Sequence, residues 1–205
     1  NITMSLICKD DETLRRTSVR KLKPLAFNLN LIQQLSELSW LPVDNNVSIA
    51  EMEQAFRSMV RTKRFSRWTD LLLVSVGNAA FCRLFNGDLW AMLTVFAATM
   101  LGFLAKQQLT RLKYNPLGVI ILSAFTASMA AACAVLFQIG STPQIALATS
   151  VLFLVPGVQM INSIMDLMHG HILMGISRGI HSIMMIACIA IGLSATMLIV
   201  GVNSL

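Results

Sequence analysis

From residue 70 onward the chain is almost empty of charge: only Asp70, Arg83, Asp88, Lys106, Arg111, Lys113, Asp166 and Arg178 interrupt it. A helix needs about 20 apolar residues to cross about 30 Å of hydrocarbon. Five apolar runs meet or approach that length. Residues 71–85 form a short one. Residues 89–105 follow the Asn86-Gly87-Asp88 turn. Residues 117–137 and 145–165 come next, the latter containing Pro156-Gly157. The fifth, 172–202, is long enough to tilt or to project beyond the bilayer. The runs are too continuous for the alternating strands of a barrel, and only helices or closed barrels satisfy their backbone in lipid. The expected fold is therefore an α-helical integral membrane protein, a five-transmembrane-helix bundle over residues 70–205. Composition agrees: 55% of the 205 residues are hydrophobic and 13% charged, about half the globular norm of ~25%. That excludes a disordered chain and a soluble single domain.

Residues 1–69 hold the remaining charges and read as a small cytoplasmic α/β domain. Strands are expected near residues 2–8 and 17–22. Residues 28–39 are apolar at helical spacing through Leu29, Ile32, Leu35 and Leu38. Ser48-Ile49-Ala50-Glu51 is a capping box opening a helix to about Arg61. Such a short segment makes a marginal core alone, so it is expected to pack on the membrane part, on a partner or on sequence before Asn1. The basic stretch Arg61-Thr62-Lys63-Arg64-Phe65-Ser66-Arg67-Trp68 reads as a juxtamembrane anchor for anionic headgroups.

The net charge of +6 follows from the same arrangement and does not call for nucleic acid. With the amino-terminal part in the cytoplasm, every one of the 16 Lys and Arg except Arg83 falls on the cytoplasmic side. Five spans then place Leu205 on the periplasmic side. An odd span number suggests a second piece that completes the bundle. Cys8, Cys82, Cys133 and Cys188 are scattered, with no metal-ligand spacing. The residues from Asn1 onward do not read as a signal peptide, and Asn1 is not an initiator Met, so sequence before it is expected.

Polar groups inside apolar runs are costly and usually face a bundle interior. Pro156 removes a backbone donor within the fourth run. The residues after Gly157 then begin a half-helix whose free N–H groups suit a carboxylate. Gln159, Asn162 and Asp166 follow on one helical face. Broken helices recur at transporter substrate sites; a plain proline kink with polar packing is the alternative. Gly175-Ile176-Ser177-Arg178-Gly179 is a GxxxG pattern, so Gly175 and Gly179 mark a close helix contact. Arg178 can pair with Asp166, hold a substrate carboxylate, or snorkel to the interface. Asp166, His169 and His171 invite a metal reading, but they lie at a span end without fixed geometry, and no metal site is expected. His181 reads as a packed residue. Ser75 and Asn78 in the first run, and Ser123, Thr126 and Ser128 in the third, read as helix glue. Asn78 is also carried as a translocation candidate. No nucleotide loop, nucleophile triad or paired catalytic carboxylate stands out, so no enzyme and no cofactor is expected.

Leu154-Val155-Pro156-Gly157, then Asn162, Asp166, Gly170, Gly175 and Arg178, resemble the signature of the threonine/serine exporter (ThrE) family. Arg67-Trp68, Phe81-Cys82-Arg83-Leu84 with Asn86-Gly87, Ala124-Phe125 and Ser141-Thr142-Pro143 are similar to its YjjP-type members. The resemblance covers residues 65–180 well and 1–64 loosely. It implies a bacterial inner-membrane secondary exporter subunit with a cytoplasmic amino-terminal domain and five spans. It implies a separate small YjjB-type membrane partner, in hetero-oligomers with several copies of each, and further helical sequence before residue 1. Its substrate would be succinate or another C4-dicarboxylate, with threonine and serine as the alternative. A membrane scaffold binding a soluble protein is the reading from another class, and a metal-dependent intramembrane enzyme a third.

Overall fold

The computed structural model describes residues 2–7, 15–20, 29–45, 49–60 and 66–201. The chain divides into two compact units, Asn1–Arg64 and Phe65–Leu205. In the first, strands β1 (Ile2–Ile7) and β2 (Arg15–Arg20) pair antiparallel, from Ile2 opposite Arg20 to Ile7 opposite Arg15. Helices α1 (Leu29–Asn45) and α2 (Ile49–Val60) follow and pack on each other. The apolar spacing predicts α1 to about Ser39, yet the helix continues through Pro42. Proline lacks one backbone donor but keeps a helical φ. Cys8, the capping-box Ser48 and the basic residues 61–65 lie outside the described residues.

The second unit is helical. It comprises α3 (Arg67–Leu84), α4 (Leu89–Arg111), α5 (Pro116–Leu136), α6 (Pro143–Thr149), a 3-10 turn over Leu152–Leu154, α7 (Gly157–Met168) and α8 (Ile172–Val200). Local chemistry sets several ends. Asp88 caps α4 by accepting the Ala91 N–H at 2.8 Å. Asn115 caps α5 by accepting the Leu117 N–H at 3.0 Å, with Pro116 at the first helical position. Gly201 closes α8 in the left-handed region, at φ 72°.

Among the described residues, α4, α5 and α8 are long and apolar enough to cross a membrane. The segments Pro143–Leu154 and Gly157–Met168 are long and apolar enough only when taken together, and they are bent by 59° at the break, as in a broken span or a re-entrant loop. The protein is thus a helical, multi-pass membrane protein. The run expected at 71–85 corresponds to α3, which does not meet the same criterion. Its 18 residues rise roughly 27 Å, and Asp70 and Arg83 sit within its ends. At 29 residues α8 is roughly 44 Å long, well beyond the hydrocarbon thickness.

Helix α5 is the hub and packs most extensively on α4 and α8. Beyond Val119 and Ile120, its buried face is made of small residues, among them Ser123, Ala124, Ala127, Ser128, Ala131 and Ala132. Small side chains let helix backbones approach closely, which is how helices associate where water expulsion supplies no drive. Ile120 and Ala124 of α5 meet Leu154 from the 3-10 turn and Cys188 and Ile189 of α8 in one cluster. Cys82, Val95 and Ala146 join α3, α4 and α6 in a second. Buried hydroxyls return to the carbonyl of a preceding turn, as in Ser75 to Leu71 O at 2.8 Å and Ser150 to Leu147 O at 2.7 Å. Ser128, which also bonds to Ala124 O at 2.8 Å, and Thr196 join α5 to α8, Oγ to Oγ1 at 2.6 Å. Thr126 bonds within its own helix, to the carbonyls of Leu122 and Ser123. The Ser123 hydroxyl is buried with no hydrogen-bond partner.

Candidate functional site

The break between α6 and α7 begins with chain chemistry. Pro156 has no N–H and stands as the cap residue of α7, and no side chain caps that helix. The Gly157 N–H turns back to Val155 O at 2.9 Å, and the first helical bond runs from Met160 N–H to Pro156 O at 3.0 Å. The N–H groups of Val158 and Gln159 therefore have no intrahelical acceptor. They carry the partial positive charge of a helix start inside an apolar segment.

Beside the break lies a cavity of about 490 Å³ that Gly157 lines; Val158 and Gln159, whose N–H groups are free, are not among its lining residues. Val74, Asn78 and Phe81 of α3 line one side, and Phe153, Val155 and Gly157 line the other. The walls are mostly apolar with few polar groups, the usual composition of a small-molecule site. Phe81 and Val155 are exposed, so one side of the cavity is open in the isolated chain.

Asn78 is the polar residue of this wall and is only 3% exposed. Its Nδ2 donates to Thr99 Oγ1 at 2.6 Å and to Thr149 O at 3.2 Å. A backbone carbonyl only accepts, so the atom facing Thr149 is the amide nitrogen, and this fixes the orientation of the group. Its Oδ1 is buried without a partner. The Gln159 Oε1 is likewise buried and unpartnered. Leaving such acceptors unpaired is unfavourable by about 1–3 kcal/mol each.

The other candidates on α7 and α8 lie apart from this cavity. Asp166 is at the far end of α7, roughly 14 Å along the axis from Gly157 at about 1.5 Å per residue. There Arg178 Nη1 donates to Asp166 Oδ2 at 2.6 Å. Asn162 lies between the two ends and is half-buried. The distance keeps Gly157 and Asp166 from sharing one amino acid, whose ammonium and carboxylate sit on a single carbon. Pro156, Gly157 and Asn78 thus form one group, and Asp166 with Arg178 another.

The GxxxG contact is made with α7. A Cβ on Gly175 would stand 2.7 Å from Leu167 Cγ and 3.0 Å from Ser163 O, and one on Gly179 would stand 2.9 Å from Ser163 Oγ. Ser163 Oγ donates to Gly175 O at 2.7 Å and locks the pair. His169 Nδ1 lies 2.8 Å from Met165 O. His181 is exposed, where the sequence suggested a packed residue. No group of three His, Cys, Asp or Glu side chains that could hold a metal ion occurs among the described residues.

One polar knot was not foreseen from the sequence. Asp88 Oδ2 accepts from the Ser141 N–H at 2.8 Å and from the Ser141 hydroxyl at 3.2 Å, and Oδ1 accepts from the Thr142 hydroxyl at 3.0 Å. It ties the α3–α4 turn to the α5–α6 loop. The available signal was an aspartate just before an apolar run, a cap position, but nothing in the chain order pairs it with Ser141. The Ser141 N–H, then the Ala91 N–H, hold the Asp88 carboxyl below its ordinary value. A carboxylate with a depressed folded-state pKa stabilises fully above its unfolded value, and that contribution is lost as pH falls through the folded value. Asp88→Asn should lower the melting temperature in detergent at neutral pH, because its amide would turn N–H groups toward donors. The gap to wild type should shrink below about pH 4. A gap that stays constant from pH 7 to pH 3 would contradict this assignment.

Comparison with known proteins places the chain. The family model described as "Putative threonine/serine exporter" matches residues 1–200. A Klebsiella aerogenes protein named "Probable succinate transporter subunit YjjP" is 33% identical over 194 residues, covering 92% of this chain and 73% of that protein. An Escherichia coli K12 protein of the same name is 32% identical over 195 residues, with the same coverage. No solved structure matches the chain.

Proposed function

Because the chain belongs to the threonine/serine exporter family, we propose that it is a secondary exporter subunit for small carboxylates in a bacterial inner membrane, with succinate or another C4-dicarboxylate as its foremost substrate. The observation that carries this reading is the break at Pro156-Gly157, which leaves α7 without a side-chain cap next to the cavity that Gly157 and Asn78 line. A break at mid-span, with N–H groups free to meet an anion, is a recurrent carboxylate site in transporters. The relatives named as succinate transporter subunits favour a dicarboxylate over threonine or serine.

In this reading α3 is the first of five spans and the amino-terminal unit faces the cytoplasm. Support comes from Lys106, Arg111 and Lys113, which gather at the end of α4 and in the turn after it, on the side that receives Arg67. The open wall of the cavity and the exposed apolar faces of α3 and α8 fit a membrane partner of the YjjB type, joined in a hetero-oligomer with several copies of each. Pro156, Gly157 and Asn78 bind the substrate. Gln159 and Asn162 extend the polar face of α7, and the Asp166–Arg178 pair fixes the α7–α8 hairpin near the cytoplasmic side.

The test is flux. Proteoliposomes holding the purified pair should move labelled succinate, and deletion of the gene should raise intracellular succinate and lower its efflux. Threonine or serine flux with no succinate flux would move the substrate to amino acids. No flux of any of these compounds would favour a scaffold.

A further inference from the structure

We propose that Lys106 is an anion-binding station on the cytoplasmic side, where its ammonium pairs with a carboxylate of the substrate before the substrate reaches the break at Pro156-Gly157. The inference rests on the carboxylate-export reading above and adds the cation that reading lacks.

Lys106 stands five residues before the end of α4 at Arg111, roughly 7.5 Å inside it along the axis. One turn deeper on the same face is Gly102. A Cβ added there would stand 2.7 Å from Ala127 Cβ of α5 and 3.0 Å from Phe153 Cζ of the 3-10 turn. Lys106 thus belongs to the face of α4 turned toward other elements of the bundle, and it is half-buried. Its ammonium does not reach outward past Arg111. It lies 5.9 Å from the centre of the Phe103 ring, one turn deeper in α4. Phe103 meets Phe153 edge to face, with ring centres 6.2 Å apart, and Phe153 lines the cavity beside the break. Two aromatic rings therefore lead from this cation to the cavity wall.

No carboxylate answers the charge. Among the described residues the ion pairs are Arg57–Glu53 and Arg178–Asp166. An aromatic face compensates an ammonium less than a carboxylate does. A charge kept unpaired within an apolar helix is unfavourable and marks an ion or substrate path. The nitrogen is also within reach of a ligand. The sealed, unpartnered polar atoms among the described residues are Asn78 Oδ1, Ser123 Oγ and Gln159 Oε1, and Lys106 Nζ is not one of them. A lipid phosphate is the other anion at this level of a membrane, but it would draw the ammonium out toward the interface, away from Phe103. The cavity itself is lined by no Lys, Arg or His, so the charge of an incoming carboxylate is met ahead of it, at Lys106.

Lys106→Met removes the charge and keeps an unbranched apolar stem. In proteoliposomes holding the purified pair, it should raise the succinate concentration needed for half-maximal flux from the cytoplasmic face about tenfold or more, the loss expected from one charge-assisted hydrogen bond. In detergent it should abolish the rise in melting temperature that saturating succinate gives the wild-type pair. Protein abundance and recovery of the partner should be unchanged or higher, because an uncompensated charge has been removed. Lys106→Arg should stay within a few-fold of wild type, and Lys113→Gln, which removes an exposed charge from the turn after α4, should change neither readout. The effect of Lys106→Met should be the same in vesicles of phosphatidylcholine alone and in vesicles that also contain phosphatidylglycerol. Unchanged half-saturation in Lys106→Met would overturn the inference and leave carboxylate export standing. So would an equal loss in Lys113→Gln, which would mean general surface charge, or a loss confined to the anionic vesicles, which would mean a lipid headgroup. A fall in abundance or in partner recovery would overturn it too, by making the ammonium a membrane anchor or an interface contact. A wild-type pair that neither moves nor is stabilised by any carboxylate would overturn the export reading and this inference with it.

Discussion

Gly192→Val is expected to be among the most damaging single changes in the helical unit. A Cβ at this position of α8 would stand 2.6 Å from Ile121 O, 2.8 Å from Ala124 Cβ and 3.0 Å from Phe125 N. Two of those three atoms are α5 backbone and cannot rotate away. The whole helix would have to shift, and it carries the contacts with α4 as well as α8. Overpacking of a tight contact usually destabilises by about 1–3 kcal/mol, and the rigid neighbours place this site at the upper end. The expected readout is a clear fall in melting temperature in detergent and in the amount recovered from membranes. Gly118→Ala is the control, since nothing lies within 4 Å of its added Cβ. It should be neutral or slightly stabilising, because alanine is the better helix former by about 1 kcal/mol. Equal behaviour of the two variants would mean that α5 and α8 do not pack this way.

The second large effect is expected at the far end of α7. Arg178 is 48% and Asp166 23% exposed. Were that surface water, the pair would contribute only about 0–1 kcal/mol. The neighbours argue otherwise: Met174, Ile176 and Ile180 are also exposed on this part of α8, so the surroundings are apolar. An unpaired charge within a membrane helix is unfavourable by about 2.5–3.5 kcal/mol at its centre and less toward the ends. Asp166→Asn and Arg178→Gln should therefore each reduce protein abundance, by an amount equivalent to about 2 kcal/mol. The double variant should recover part of the loss, because neither charge is then left alone. Additive losses would show that the pair is not coupled. An Asp166→Asn protein of normal abundance that keeps exchange but no longer responds to a pH gradient would reassign Asp166 from pairing to proton transfer.

Legibility from the sequence followed how local the cause was. The starts of α4, α5 and α8 and the ends of α5 and α8 were readable to within about two residues because long, nearly charge-free runs mark them, but α4 runs on from the expected residue 105 past Lys106 to Arg111. The start of α7 at Gly157 was readable because proline in a helical run removes a backbone donor and crowds the preceding turn, although α1 runs on through Pro42. The standing of α3 was harder to judge, since a run of this length with Asp70 and Arg83 near its ends suits a span or a surface helix equally. Contacts distant in sequence were not readable. Periodicity puts Gln159, Asn162 and Asp166 on one face but does not say that the cavity touches only the beginning of their helix. The bonds from Asn78 to Thr99 and Thr149, and the tie from Asp88 to Ser141, join segments that only packing brings together. The GxxxG pattern showed that a helix would come close, and α7 is that helix.

The alanine and serine face of α5 has a further consequence, in side-chain entropy. Long side chains lose up to about 2 kcal/mol of rotamer freedom when they are ordered, whereas alanine loses none. A hub of Ala124, Ala127, Ala131 and Ala132 therefore orders almost nothing when α4 and α8 close on it. It also has no alternative rotamers with which to absorb a displacement. Adjustment along this alanine stretch is then left to the helices as wholes rather than to their side chains.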